Sequence, residues 1–241
     1  MTRWYRYASP GHAYRLAGRL IPWCAVPAAA LFVVGLYLGL VVAPTDFQQG
    51  DAYRVLFIHV PAAWMGMLLY VLLAIYAGIG WVFHTRVSSM MASSLSITGT
   101  MFTAVALITG SLWGRPTWGT WWVWDARTTS TLILLFLYVG FISLQSAIDD
   151  PRRADRAAAV LALVGVVNVP IIYFSVQWWN TLHQGATIRV GGETTMAGSM
   201  LAPLLIMIAA CWLYSVAVVL ARLQTLIRER EPLVAVTAVV K

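Results

Sequence analysis

The run VPAAWMGMLLYVLLAIYAGIGWVF, residues 60–83, contains no Asp, Glu, Lys or Arg. A helix needs about 20 mainly apolar residues to cross the hydrocarbon core of a bilayer, and this run supplies them. Five more stretches read the same way, at 20–42, 92–112, 129–147, 157–176 and 199–221, again with no charged residue inside. The first follows basic residues, and Ala28, Ala29 and Ala30 resemble a signal-peptide cleavage site. Its apolar sequence continues through LFVVGLYLGLVV, well past the roughly 7–15 residues of a signal core, so it reads as a retained helix.

Composition points the same way. Of 241 residues, 60% are hydrophobic and 10% charged, and the mean hydropathy is +0.76. An ordinary soluble domain is roughly 25% charged. So few charges cannot cover a water-exposed surface without large apolar patches, and disorder requires the opposite composition. The expected fold is all-α: a polytopic integral membrane protein with six transmembrane helices, residues 1–241 forming one membrane domain. Pro170, beside Asn168, predicts a kink near one end of the fifth helix.

The net charge is +7, and Lys241 is the only lysine. No dense basic stripe suggests nucleic acid. The basic residues instead sit in short clusters between apolar runs. An even number of spans puts both termini on one side, and that side collects 12 of the 16 basic residues. Only Arg54, Arg115, Arg127 and Arg189 fall on the other. By the positive-inside bias, both termini are expected in the cytoplasm. Segments 43–59, 113–128 and 177–198 then face outward, into the periplasm of a Gram-negative cell. The inward segments HTRVSS and DDPRRADR read as turns. Cys24 and Cys211 lie within apolar runs and read as small buried hydrophobes. No phosphate-cradling glycine loop is present.

The outward side holds the unusual chemistry. Trp113, Trp118, Trp121, Trp122 and Trp124 crowd one segment and Trp178 and Trp179 lie in the next, together seven of the chain's 12 tryptophans. An interfacial aromatic belt would appear on both sides of the membrane. This one-sided cluster instead suggests a platform for a flat, apolar ligand. His59, in RVLFIHVPAAW, and His183, in WWNTLHQG, flank it on the same side, whereas His12 and His84 read as ordinary solvated side chains. Neutral imidazole is the commonest metal ligand. Zinc would want four ligands, and the outward carboxylates Asp46, Asp51, Asp125 and Glu193 are scattered. Two imidazoles beside an indole shelf suit haem, whose iron takes two axial ligands. Asp125 stands where an N-cap for helix four belongs, before ARTTSTL, and is also placed to fix the loop. Each outward arginine is suited either to a haem propionate or to snorkelling.

The segment WGRPTWGTWWVWDARTTS contains WGTWWVWD. With HVPAAW, WWNTLHQG and six spans, it resembles the CcmC family, the tryptophan-rich (WWD-domain) haem-handling proteins of cytochrome c maturation. The resemblance runs from about the first helix through WWNTLHQG. Thr128 departs from it, standing where a leucine is expected, outside the aromatic platform. The resemblance implies that haem (haem b) is held at the periplasmic face of the bacterial inner membrane with His59 and His183 as axial ligands. Trp118, Trp122, Trp124 and Asp125 match the signature, and Trp113, Gly119, Trp121 and Arg127 complete the expected haem-binding set. It also implies delivery to the periplasmic haem chaperone CcmE, a small membrane partner CcmD, and an ABC-type complex with the ATPase CcmA and the permease CcmB. The chain itself would not be an enzyme. Two other readings compete with presentation of haem. A b-type electron-transfer or quinone-linked cytochrome would usually hold its histidines within spans, and no span here has one at its middle. A translocator would need a route through the bilayer, and the spans offer no polar conduit, only lateral entry from lipid.

Overall fold

The computed structural model describes residues 9–183 and 196–232. Arg3, Arg6, Arg189, Glu193 and Lys241 lie outside them. The chain forms α1 (Pro10–Tyr37, continued by a π-helical turn, Leu38–Val42), α2 (Leu56–Phe83, entered through a 3-10 turn at Asp51–Val55), α3 (Arg86–Trp118), α4 (Ala126–Ala147), α5 (Pro151–Gly165), α6 (Asn168–Trp178) and α7 (Gly198–Arg230). Helices α5 and α6 together make one crossing, giving six helical segments long and apolar enough to span a membrane. The protein is an all-helical, multi-pass membrane protein, and all six apolar runs read from the sequence fall within these segments.

The break between α5 and α6 follows from Pro170. Proline has no N–H to give the carbonyl of residue 166, so the helical ladder fails there. Val169 N–H instead reaches back three residues to the Val166 carbonyl at 3.0 Å. Asn168 Nδ2 donates to the Ser130 carbonyl of α4 at 2.8 Å, fastening the break to its neighbour.

Small residues let the helices approach closely, as expected where lipid removes any net hydrophobic drive between them. Ala154, Ala158 and Ala162 recur every fourth residue on α5 and are fully buried. α3 buries Ser93, Ser94, Ser96 and Thr103. Their hydroxyls donate to carbonyls of the preceding turn, as Ser94 does to Met90 at 2.8 Å and Thr103 to Gly99 at 2.8 Å, so these four hydroxyls are satisfied inside the apolar interior. The core centres on Tyr70 of α2 and Tyr138 of α4, edge to face at 4.9 Å, with the Tyr138 hydroxyl donating to the Gly66 carbonyl at 2.8 Å. α2 packs along α3, α1 along α7, and α4 against α3, α5 and α6.

The two ends of the bundle differ. One end, where α1 starts and α7 finishes, is tied by Asp155, which accepts from Arg230 at 2.9 Å and from Gln145 at 3.0 Å, while Gln145 also donates to Ser93 at 2.7 Å. The expected turn DDPRRADR is largely the first turn of α5, capped by Asp150. The other end gathers the start of α2, the end of α3, the start of α4 and the end of α6. Cys211 is buried and Cys24 half-buried, both free thiols.

Candidate functional site

α3 sets the floor of the site. It runs to Trp118, so Trp113 and Trp118 stand on a helix and the non-helical outward segment is 119–125, shorter than the 113–128 read from the sequence. Gly119 ends α3 with φ of 78°, a left-handed conformation that glycine adopts without strain, and its N–H closes on the Arg115 carbonyl at 3.1 Å. The Arg115 guanidinium donates to the Gly119 carbonyl and so clasps the same turn. Asp125 then opens α4, its Oδ1 accepting from Thr128 N–H at 2.8 Å, as its position predicts.

His59 is not on a loop. It lies one turn into α2, against α3. Its Nδ1 is 3.1 Å from Thr109 Oγ1, and its ring meets Trp113 edge to face at 5.7 Å. The Thr109 hydroxyl gives its one proton to the Val105 carbonyl at 2.6 Å, so it faces His59 as an acceptor. Nδ1 therefore carries the imidazole proton and Nε2 the lone pair. Gly110 makes room for the ring: a Cβ there would meet His59 Cε1 at 2.9 Å.

His183 lies beyond α6 in an irregular segment, and its Nδ1 is 2.9 Å from Asp125 Oδ2. Thr181 donates to the same oxygen and accepts from the His183 N–H at 3.1 Å. Burial acts to raise the Asp125 pKa, but hydrogen bonds from Thr181, Thr128 and His183 outweigh it and hold the carboxyl at about 2. Burial pushes His183 below the usual imidazole range despite the opposing pull of Asp125. At neutral pH the pair is thus a carboxylate and a neutral imidazole with its proton on Nδ1, and a carboxylate accepting that proton's hydrogen bond is what commonly orients a metal-ligating histidine. Trp118 packs edge-on to His183 at 4.8 Å.

Both histidines line one cavity of about 1060 Å³, together with Trp113, Trp118, Trp121, Trp122 and Arg127. Pockets for small molecules commonly run about 300–1,000 Å³, so this one accommodates a large ligand. Gly119, Trp124 and Asp125 do not line it. Gly119 shapes the turn, and Asp125 acts from behind His183. Trp124 is 74% exposed and packs against Trp122 at 5.4 Å. Arg127 spans from the cavity to α6, donating to Ser175 Oγ at 3.2 Å. Arg54 is turned to the Gly39 carbonyl and Asp51. Sequence reading missed Thr109, Gly110 and Gln49, whose Oε1 takes the Trp113 indole N–H at 2.8 Å. No local signal marks them, because each acts across a helix contact. Thr181 had one: a hydroxyl two residues before a loop histidine is a common backbone-bracing arrangement.

Fold and site together define a class: a multi-pass helical membrane protein whose bundle opens at one end into an indole-walled cavity bearing two oriented imidazoles. The profile of the Heme exporter protein C (CcmC) family matches residues 3–237, and the chain belongs to that family. It is 46% identical over 223 residues to Heme exporter protein C of Escherichia coli strain K12, covering 92% of this chain and 90% of that one. The corresponding Paracoccus denitrificans protein is 38% identical over 231 residues, 95% of each chain. A Marchantia polymorpha protein named as ccmC-like, mitochondrial and of cytochrome c biosynthesis is 41% identical over 198 residues, 82% of each.

Proposed function

We propose that this protein holds haem b at the periplasmic face of the bacterial inner membrane and presents it to the haem chaperone CcmE. It would do so within an ABC-type assembly with CcmA, CcmB and CcmD during cytochrome c biogenesis. The carrying observation is the shared cavity. His59 and His183, more than a hundred residues apart in sequence, line the same indole-walled space, each with Nδ1 engaged and Nε2 bearing the lone pair. Haem iron takes two axial ligands, and bis-imidazole coordination would occupy both. The indoles of Trp113, Trp118, Trp121 and Trp122 supply apolar area for the macrocycle. Arg127, lining the cavity, is the arginine placed to pair with a propionate.

The two histidines are held differently. His59 is fixed on α2 and braced by Thr109 and Trp113, while His183 sits on an irregular segment and owes its orientation to Asp125 and Thr181. Release to a chaperone needs one axial ligand to let go, and His183 is the one whose backbone permits it. The family name and this asymmetry favour presentation over a resident electron-transfer haem, which would gain nothing from a detachable ligand. ATP hydrolysis belongs on a partner chain.

The visible spectrum of the haem-loaded protein tests the reading. His59→Ala and His183→Ala should each lose the parent's six-coordinate axial-ligation bands. If both variants keep them, the two-histidine clamp is wrong.

A further inference from the structure

A second hollow, about 340 Å³ and open to the outside, lies in the seam between α3 and α4. Leu107, Ile108, Ser111 and Leu112 of α3, Leu132 of α4 and Trp122 line it. Three of them, Leu107, Ser111 and Trp122, also line the main cavity, so a single layer of side chains separates the two spaces. Leu112 lies six residues before the end of α3 and Leu132 six residues after the start of α4. At 1.5 Å per residue both are about 9 Å below the helix ends, inside the span. Ile108 is 61% and Leu112 52% exposed on the chain by itself, and apolar side chains exposed at that depth of a membrane-spanning segment are suited to contact with lipid.

We propose that haem enters the cavity sideways from the lipid, through this α3–α4 seam, with Trp122 as the movable wall. The inference rests on the haem-cavity reading above. The hollow offers apolar walls suited to a porphyrin edge that partitions into a bilayer, at a depth that leaves propionates close to the interface. Trp122 is suited to move. It belongs to the non-helical segment between Gly119 and Asp125, and its indole Nε1 is buried without a hydrogen-bond acceptor. Its ring is held only by packing, including the edge contact with Trp124, so it swings without breaking a hydrogen bond. The sequence and the cavity agree on direction: a ligand arriving from water has no use for an opening lined by Ile108, Leu112 and Leu132.

Ile108→Trp and Leu112→Trp fill the hollow from positions that do not touch the main cavity, and Leu132→Trp does so from the opposite wall. The full-length protein in nanodiscs is mixed with haem carried in phospholipid vesicles, and loading is followed by stopped-flow absorption. The expected result is a loading rate lowered about tenfold or more in these variants, as for a barrier raised on the route, with the parent's equilibrium spectrum and haem affinity. Trp122→Ala should load and release faster than the parent. Filled-hollow variants that load at the parent's rate overturn the lateral route and leave the cavity standing, as does a parent that loads faster from albumin-borne than from vesicle-borne haem. A parent that binds no haem from either source overturns the cavity reading as well.

Discussion

Asp125 uses its two oxygens for two tasks. Oδ1 caps α4 through Thr128 N–H, and Oδ2 receives His183 Nδ1 and Thr181. The tasks can be separated, because asparagine caps a helix about as well as aspartate but is a neutral amide toward an imidazole. Asp125→Asn should leave the melting temperature in detergent near the parent's and weaken haem binding about 10–100-fold, the usual cost of losing the carboxylate that orients a metal-ligating histidine. Asp125→Ala should add the lost cap, about 0.5–2 kcal/mol of stability. A haem titration of Asp125→Asn that matches the parent's would remove Asp125 from the site's function. The pH dependence follows from His183. Its folded pKa lies below the usual value because burial disfavours the cation. The unfolded chain takes up the proton at about 6.5 and the folded chain only further down, so stability is full above about pH 6.5 and falls as pH drops through the lower folded value. His183→Gln should flatten that acid-side loss in thermal melts of the haem-free protein. An unchanged profile would place the titrating group elsewhere. Gly110 gives the matching test for His59, the other proposed ligand. A Cβ at 110 would press on His59 Cε1 at 2.9 Å, so Gly110→Ala should turn the imidazole and shift the haem bands, with helical content preserved in circular dichroism.

The spans were legible at the scale of elements because each is an uncharged run long enough to cross a bilayer, and hydropathy needs no tertiary knowledge. Their ends at the site were less so. Segment 113–128, with its five crowded tryptophans, read as an outward loop, yet α3 continues to Trp118. In that last turn Thr117 Oγ1 donates to the Trp113 carbonyl at 2.6 Å, and Gly119 closes the helix in the left-handed region. The W–G pair at 118–119 carried that signal, and the density of aromatic residues hid it. His59 read as the residue that opens the second helix, at the edge of outward segment 43–59, whereas the helix is already under way at Leu56. What no local pattern shows is contact between helices. Gly99 of α3 lies so close to Tyr138 of α4 that a Cβ would overlap the phenol, whose hydroxyl in turn donates to Gly66 of α2. Gly99→Ala should therefore part three helices at once, lowering stability by about 1–3 kcal/mol as overpacking does, seen as a lower melting temperature in detergent. A melting temperature equal to the parent's would show that the seam has slack.

For the whole molecule, the question is which end faces which compartment. The bundle is chemically polar along its axis. The site end carries the tryptophan shelf and the two oriented imidazoles, and its described basic residues are Arg54, Arg115 and Arg127, all engaged with carbonyls, hydroxyls or Asp51. The opposite end carries exposed Arg152, Arg153 and Arg156 at the start of α5. Moving arginines across a bilayer is costly, so the arginine-rich end is expected to stay in the cytoplasm. Cysteine labelling checks this on the intact protein. Cys24 and Cys211 are replaced by alanine to clear the background. Phe47→Cys then places a thiol on the site-end turn, where Phe47 is 92% exposed, and Arg153→Cys places one at the other end. In right-side-out spheroplasts a membrane-impermeant maleimide should modify position 47 and spare 153, and in inverted vesicles the pattern should reverse. Labelling of both positions from one side would break the six-span topology. Labelling of 153 alone from outside would put the cavity in the cytoplasm and end the proposal that it presents haem to a periplasmic chaperone.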